Sequence, residues 1–390
     1  MKIIIFINSL AGGGAERVAA TLANYWARQH WDVVVVTLAN RSEDFYVLDA
    51  GVKRVEMDLS GNSANFFQGA LENLRRVLSL RRIIKQHRPD AILSMMSTPN
   101  VLLAAASLGL SDVCTIGSER CYPPHFPLGK MWHALRKLMY GRLHAVVGLT
   151  QECATWIRVN TSAQYVPVIP NPIVWPMPKS ARGIDPNKHC AAGRKILLAV
   201  GRLSPEKGFE LLVKVFAMLA DKYPDWDLVI LGEGPDRQLL QNRIDEFNLT
   251  SRVLMPGIAG NVGEWYARAD LFVMSSSYEG FPNALAEALA HGLPAISFDC
   301  DTGPRDIIRQ GIDGLLVPLG NAAELKMALD RFMGDSAARA AFAARAGDAK
   351  ERFSIHKIAQ MWEQLFIELR DAQREPTKAR PRATQERMTP

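Results

Sequence analysis

Two carboxylates and two cations carry the chemistry that can be read from this chain. Glu279 and Glu287 stand eight residues apart in Ser275-Ser276-Ser277-Tyr278-Glu279-Gly280-Phe281-Pro282-Asn283-Ala284-Leu285-Ala286-Glu287. The apolar run 271–274 ahead of them reads as a buried strand. The stretch 284–290 reads as an alanine-rich helix that Gly292 and Pro294 stop. Gly280-Phe281-Pro282-Asn283 then forms the helix mouth, with Pro282 expected at the first helical position, where its missing N–H costs nothing. Free amides and the helix dipole make such a mouth an anion site. A carboxylate beside an anion repels it, so the two glutamates suit hydroxyl groups instead: a carboxylate accepts two hydrogen bonds and matches the diol of a sugar or ribose. Either glutamate taken alone reads more readily as a solvated surface charge. Arg202 and Lys207 lie in Gly201-Arg202-Leu203-Ser204-Pro205-Glu206-Lys207-Gly208, after a predicted strand over 196–200. A planar guanidinium and a compact ammonium at a strand end suit a diphosphate, although both residues are also ordinary loop residues.

The elements that must position these groups follow a βαβ pattern. Residues 3–8 form a continuous apolar run, the kind buried on both faces of a parallel sheet. Gly12-Gly13-Gly14, Glu16 and Arg17 then open a helix to about residue 28, and 33–38 is the next strand. The dinucleotide fingerprint needs a third glycine where Arg17 stands, and an acidic residue that 37–41 lacks, which argues against a nicotinamide or flavin site. The glycines still allow close backbone approach to a ligand. A strand over 113–117 ends in Ser118-Glu119-Arg120-Cys121, and polar residues at the carboxyl end of a parallel strand lie where open α/β sheets bind ligands. Glu16, Glu119 and Arg120 are therefore candidates for the acceptor side. Further strands are expected at 145–149 and 166–169. In the second half they fall at 228–231, 253–255 and 295–298, with a short segment at 314–318.

The 390 residues, 48% hydrophobic and 22% charged, suit two globular domains. Five scattered cysteines with no C-x-x-C argue against a disulfide framework or zinc site. The net charge of +6 is uneven: residues 1–180 carry +7 and 181–360 carry −2. Two predicted helices concentrate it. Residues 71–89 place Arg75, Arg76, Arg81, Arg82, Lys85 and Arg88 among leucines and isoleucines, and 129–143 place Lys130, Arg136, Lys137 and Arg142 among Met131, Trp132 and Leu135. Each reads as a helix with a basic face, either simply solvated or docking on anionic lipid headgroups. Nucleic acid is disfavoured, because no aromatic platform or groove-reading motif accompanies the charge. The start, with Lys2 and a short apolar run, does not read as a signal peptide. Residues 91–111 lack charge, but Ser97-Thr98-Pro99-Asn100 divides them into a strand over 91–96 and a helix over 99–108 capped by Gly109. Two D-x-D triplets, Asp225-Trp226-Asp227 and Asp299-Cys300-Asp301, are weak candidates for a metal, and none is expected.

These motifs, taken in order, resemble the retaining glycosyltransferases of family 4. The resemblance covers about residues 1–370. It rests on Gly201-Arg202 with Lys207-Gly208, Gly232-x-Gly234, Glu279-Gly280-Phe281-Pro282 with Glu287, Asn171-Pro172, Gly303-Pro304 and Asp313-Gly314-Leu315-Leu316-Val317-Pro318. It implies the GT-B fold: α/β, with two Rossmann-like doubly wound domains facing a central cleft. The expected boundaries are 1–170 for an acceptor-side domain, 171–193 for a proline-rich linker and 194–352 for a nucleotide-sugar domain. A helix over 353–371 would pack back, and 372–390 would be a disordered tail. By the same resemblance Arg202 and Lys207 hold the donor diphosphate, and Glu287 holds the ribose. Glu279, Gly280, Phe281 and Asn283 face the donor sugar and phosphate, and Gly13 and Gly14 close over it. Arg202, Lys207 and Glu279 are thereby the catalytic set. Other members carry a histidine in the 118–125 loop. Here Arg120 and Cys121 stand in its place and His125 comes later. The implied activity is transfer of a hexose or N-acetylhexosamine, with an α-linkage and no cofactor or obligatory metal. The donor would be a nucleotide sugar, UDP-based by preference with GDP-mannose as the alternative. The acceptor would be a polyprenyl-linked or cell-surface glycan, and the enzyme a cytoplasmic one on the inner face of the membrane. A non-enzymatic basic membrane-binding module is the competing reading.

Overall fold

Alternating apolar residues set the layers. In strand β1 (Lys2–Ile7), Ile3, Ile5 and Ile7 enter one core with Trp26, while Ile4 and Phe6 enter a second core on the opposite face, with Leu80 and Tyr140. Successive strand side chains point to opposite faces, so an unbroken apolar run demands cover on both. The computed structural model describes residues 1–61, 66–178 and 183–374. It contains two units. One comprises residues 1–172 with the helix Ile355–Arg374, and the other Ile173–Ser354.

The first unit adds β2 (Asp32–Thr37), β3 (Val52–Glu56), β4 (Ala91–Met95), β5 (Cys114–Ser118) and β6 (Ala145–Val147), in the order β3-β2-β1-β4-β5-β6. The second holds β7 (Lys195–Val200), β8 (Trp226–Leu231), β9 (Val253–Gly257), β10 (Leu271–Met274), β11 (Ala295–Asp299) and β12 (Gly314–Pro318), in the order β12-β11-β10-β7-β8-β9. Every pairing in both sheets is parallel. Renumbered from its own first strand, the second sheet has the order of the first, so this is one doubly wound Rossmann-like topology used twice. The strand order reverses between β1 and β4 in one unit and between β7 and β10 in the other. Ligands in open α/β sheets bind at such switch points, outside the carboxyl ends of the strands.

Several expectations need correction. β3 carries Lys53, Arg54 and Glu56 and gave no apolar signal; it is an edge strand, where charge blocks further pairing. The expected strand over 166–169 is a single bridge between Val168 and Gly148, because Pro167 and Pro170 cannot donate to a ladder. The expected linker over 171–193 is not a separate element. Residues from Ile173 onward belong to the second unit, where Ile173 pairs with Ser354 and Trp265 Nε1 donates to the Ile184 carbonyl at 2.9 Å. The C-terminal helix Ile355–Arg374 inserts Trp362 and Phe366 beside Trp26 in the first unit, and Trp26 Nε1 donates to Glu363 at 3.1 Å. The expected tail over 372–390 begins with the end of this helix, and its remainder, 375–390, lies outside the described residues. Residues 91–111 fold as β4 followed by the helix Ser97–Ala106, and among the described residues no helix is long and apolar enough to cross a membrane.

Candidate functional site

The second unit's switch point gathers most of the residues singled out above. Arg202 and Lys207 follow β7, and Glu279 and Gly280 follow β10. Hydrogen bonds join the two loops. Ser277 N donates to the Glu206 carbonyl at 2.7 Å, and Ser275 Oγ donates to the Lys207 carbonyl at 2.8 Å. Lys207 Nζ lies 2.6 Å from Glu279 Oε1, and Ser276 Oγ donates to the same oxygen at 2.7 Å. Two glycines permit this closeness. Gly208 has φ +64°, and a Cβ there would sit 2.2 Å from the Ser275 carbonyl oxygen. Gly232, at φ +144°, packs so tightly under the first loop that a Cβ would fall 1.8 Å from the Gly201 carbonyl oxygen. The Gly232-x-Gly234 signature thus shapes the floor beneath Arg202. Arg202 is exposed and makes no side-chain contact among the described residues, so its guanidinium is available to an anion.

The helix Asn283–Ala290 has Pro282 as its N-cap rather than at the first helical position expected of it. Its first-turn amides still point out of the helix start. The Phe281 side chain is buried against Phe353, with ring centroids 5.4 Å apart, so this residue can offer a ligand only its backbone. Glu287 lies on the same helix at 7% exposure and accepts a hydrogen bond from the Tyr266 hydroxyl at 3.2 Å. Tyr266 gave no signal in the sequence, because an aromatic residue ahead of a buried strand reads as core.

Other motifs have structural roles. Asp313 is fully buried between Arg309 and Arg352, at 2.7 and 3.1 Å. Asp227 is buried between Arg194 and Arg252, while Asp225 pairs with Lys195 at 2.7 Å and Asp299 with Arg305 at 2.9 Å. Three of the four D-x-D carboxylates, Asp225, Asp227 and Asp299, are therefore occupied by arginine and lysine, and among the described residues no cluster of three or more His, Cys, Asp or Glu is placed to hold a metal.

The first unit has a matching end. Gly13 is the N-cap of the helix Gly14–Arg28, and the Glu16 carboxylate folds back so closely that a Cβ on Gly13 would meet Glu16 Oε2 at 2.2 Å. Burial raises the Glu16 carboxyl above its ordinary value, and the charge of Arg120 partly offsets this. Arg120 donates to Ser118 Oγ at 3.2 Å and to Asn171 Oδ1, and its buried Nε has no partner among the described residues. Burial lowers Arg120 to about 10, which leaves it charged at neutral pH. Glu16, Arg120 and Asn171 thus share one end of the first sheet.

Glu119 does not share it. Its expected place on the acceptor side is corrected: the side chain is fully buried, accepting from Ser97 Oγ at 2.7 Å and from the Tyr140 hydroxyl. Adjacent residues leaving a strand point to opposite sides, so with Arg120 turned toward Asn171, Glu119 turns toward Ser97 and Tyr140. The basic faces also thin out. Arg136 is buried over Trp156, Arg76 bonds the carbonyls of Leu59 and Gly61, and Arg81 bonds those of Ala106 and Leu108.

Comparison with known proteins decides the family. Residues 12–174 match the family model described as Glycosyltransferase Family 4, and residues 183–348 match that of Glycosyl transferases group 1. The chain belongs to the family 4 glycosyltransferases. This glycosyltransferase is 29% identical over 95% of its length to an exopolysaccharide phosphotransferase of Streptomyces coelicolor, of which it spans 41%. It is 27% identical over 94% of its length to an amylovoran biosynthesis glycosyltransferase of Erwinia amylovora, covering 99% of that protein. It is 26% identical over 95% of its length to the Campylobacter jejuni GalNAc-α-(1→4)-GalNAc-α-(1→3)-diNAcBac-PP-undecaprenol α-1,4-N-acetyl-D-galactosaminyltransferase, covering all of it. Among solved structures, sucrose-phosphate synthase of Thermosynechococcus elongatus aligns with TM-score 0.80 and 18% identity over 95% of this chain and all of that one. Anabaena HepE in complex with UDP aligns with TM-score 0.76 and 20% identity, over 94% of this chain and all of that one. Both structures have the two-domain GT-B fold expected of this glycosyltransferase.

Proposed function

We propose that this glycosyltransferase is a retaining enzyme that moves a hexose or N-acetylhexosamine from a UDP-sugar to a polyprenyl-linked or cell-surface glycan, forming an α-linkage. The observation that carries the donor half is the convergence of Arg202, Lys207, Glu279 and the start of the helix Asn283–Ala290 at the switch point of the second sheet. Diphosphate departure concentrates negative charge, and preorganised cations and amides stabilise charge where it develops. Arg202 and Lys207 would take the diphosphate, and Glu287 the ribose hydroxyls. Glu279 would hold Lys207 in place and face the sugar. In this reading the C1–O bond to the diphosphate breaks first. The acceptor hydroxyl then attacks C1 from the same face and gives its proton to the departing phosphate oxygen, and no resident metal is required. HepE binds UDP, which supports a uridine donor. The Erwinia and Campylobacter relatives, by their names, build amylovoran and extend an undecaprenyl-diphosphate-linked glycan.

The lipid-linked acceptor fits the first unit's surface. The helix Ser97–Ala106 neighbours both Phe66–His87 and Lys130–Met139 over one core. They expose Leu71, Leu74, Leu78, Met131 and Leu138 beside Arg75, Arg82, Lys85, Lys130 and Lys137. Exposed apolar side chains among cations suit an anionic membrane surface.

A thermal-shift panel with UDP, GDP, ADP and NAD, each with and without EDTA, tests the donor, because a ligand that binds the native state raises the melting temperature. A UDP shift that survives EDTA is expected. A shift with GDP alone would move the donor to a GDP-sugar such as GDP-mannose, and a UDP shift abolished by EDTA would overturn metal independence.

A further inference from the structure

Behind Glu287 lies a layer of rings that the donor reading leaves unused. Tyr266, from the helix Val262–Arg268, is buried, and its hydroxyl donates to Glu287 Oε2 at 3.2 Å. His291 follows Glu287 by one helical turn, and its ring packs on Tyr266 with centroids 5.1 Å apart. His291 Nδ1 lies 2.8 Å from the Glu287 carbonyl oxygen. A carbonyl only accepts, so Nδ1 carries the proton. Burial lowers the His291 ring below its ordinary value, which keeps it neutral at neutral pH and denies Glu287 a competing cation from this side. Trp175 closes the stack, edge-on to His291 at 4.5 Å, and Lys350 Nζ lies 4.7 Å from the Trp175 ring.

We propose that Tyr266 is a positioning residue for the donor nucleotide: its hydroxyl holds the Glu287 carboxylate in the one orientation that meets the ribose diol, and His291 and Trp175 hold the Tyr266 ring in turn. The inference rests on the reading of Glu287 as the ribose contact. A carboxylate matches a vicinal diol only when its plane is aimed at both hydroxyls, and a carboxylate free to rotate loses one of the two bonds. With Glu287 at 7% exposure, its orientation is set by the side chains packed against it rather than by water.

The test compares binding of UDP with 2′-deoxy-UDP, and GDP with 2′-deoxy-GDP, to the full-length wild type, Tyr266→Phe, Glu287→Gln and the double variant. Wild type should prefer the ribonucleotide by about tenfold, the size of a hydrogen bond to a charged group. Tyr266→Phe keeps the ring and removes only the hydroxyl. Its preference should fall to about threefold, and the double variant should lose no more than Glu287→Gln alone, because the two residues act as a unit. The ratio of two affinities is unaffected by any fraction of unfolded protein, so it reports positioning even if the variant is less stable. Kinetically, Tyr266→Phe should raise the donor KM and leave kcat within about twofold, as for loss of uniform ground-state binding. A preference lost in Glu287→Gln but intact in Tyr266→Phe would overturn the positioning role and leave the ribose reading standing. A preference intact in Glu287→Gln would overturn the ribose reading and this inference with it.

Discussion

Lys207 is engaged by Glu279 at 2.6 Å, whereas Arg202 is exposed and has no side-chain partner among the described residues, so a diphosphate entering this site meets one held and one available cation. Lys207→Ala should lower kcat/KM by about 100-fold or more, the usual loss when a preorganised charge-stabilising group is removed. The melting temperature should hardly move, because a partly exposed ion pair contributes at most about 1 kcal/mol. Transfer assays beside thermal melts check both; wild-type activity in Lys207→Ala would remove the residue from the site. Glu119 gives the opposite expectation. Burial raises its carboxyl above the ordinary value, so on raising pH the unfolded chain ionises first and the folded state loses stability across the window between the two values. Glu119→Gln keeps an acceptor for Ser97 and Tyr140 without that charge. Its melting temperature relative to wild type should therefore rise between about pH 4.5, near the unperturbed glutamate value, and neutrality. A flat difference would mean that Glu119 is ionised in the fold. Arg120 and Glu119 also show what the sequence makes legible at this scale. Their residue types marked a polar loop at a strand end, but which of two neighbours turns inward depends on where β5 stops, and no spacing reveals that.

At the scale of elements, the donor floor depends on loops rather than on side chains. Gly232 sits where any side chain would collide with the Gly201 carbonyl at 1.8 Å, and its φ of +144° is one that other residues rarely adopt. Gly232→Ala should cost about 2–3 kcal/mol through strain and backbone displacement, enough to lower the melting temperature by several degrees. It should also weaken nucleotide binding, because the displaced segment carries Arg202. Melts and nucleotide titrations on the same variant separate the two effects, and unchanged affinity would show that the floor does not shape the site. The glycines were legible as motif positions. Their purpose was not, because it lies in a contact between loops 31 residues apart in the chain. The basic helices were legible in the same limited way. Periodicity found them, but only packing shows that Arg76, Arg81 and Arg136 are turned to internal carbonyls and a tryptophan while Leu74 and Leu78 stay outside. If this face meets membrane, Leu74→Glu with Leu78→Glu should reduce cosedimentation with phosphatidylglycerol vesicles. Raising the salt should reduce wild-type binding as well, since exposed charges are screened within about 10 Å at 0.1 M salt. Binding insensitive to both would rule the face out.

On the scale of the whole chain, the repeated βαβ pattern was legible because most strands announce themselves as short apolar runs ending in glycine or polar residues, the charged edge strand β3 excepted. The division of the chain was less so, because the last helix leaves the unit that precedes it in sequence. Ile355–Arg374 completes the core of the first unit, with Trp362 fully buried beside Ile358, Leu365 and Phe366. The helix face alone does not say which sheet it will cover. This placement has a measurable consequence. Trp362→Ala removes a large ring from a close-packed core and should cost about 3–5 kcal/mol. The loss belongs to the first unit, although residue 362 follows the second unit in the chain. With two separately cored units, the thermogram should resolve two transitions in the variant, the lower one being the first unit's. Adding UDP should raise the upper transition more than the lower, because Arg202, Lys207 and Glu287, proposed to hold the diphosphate and the ribose, lie within Ile173–Ser354. A single transition that UDP raises as a whole, in both wild type and variant, would show that the two cores unfold as one cooperative body.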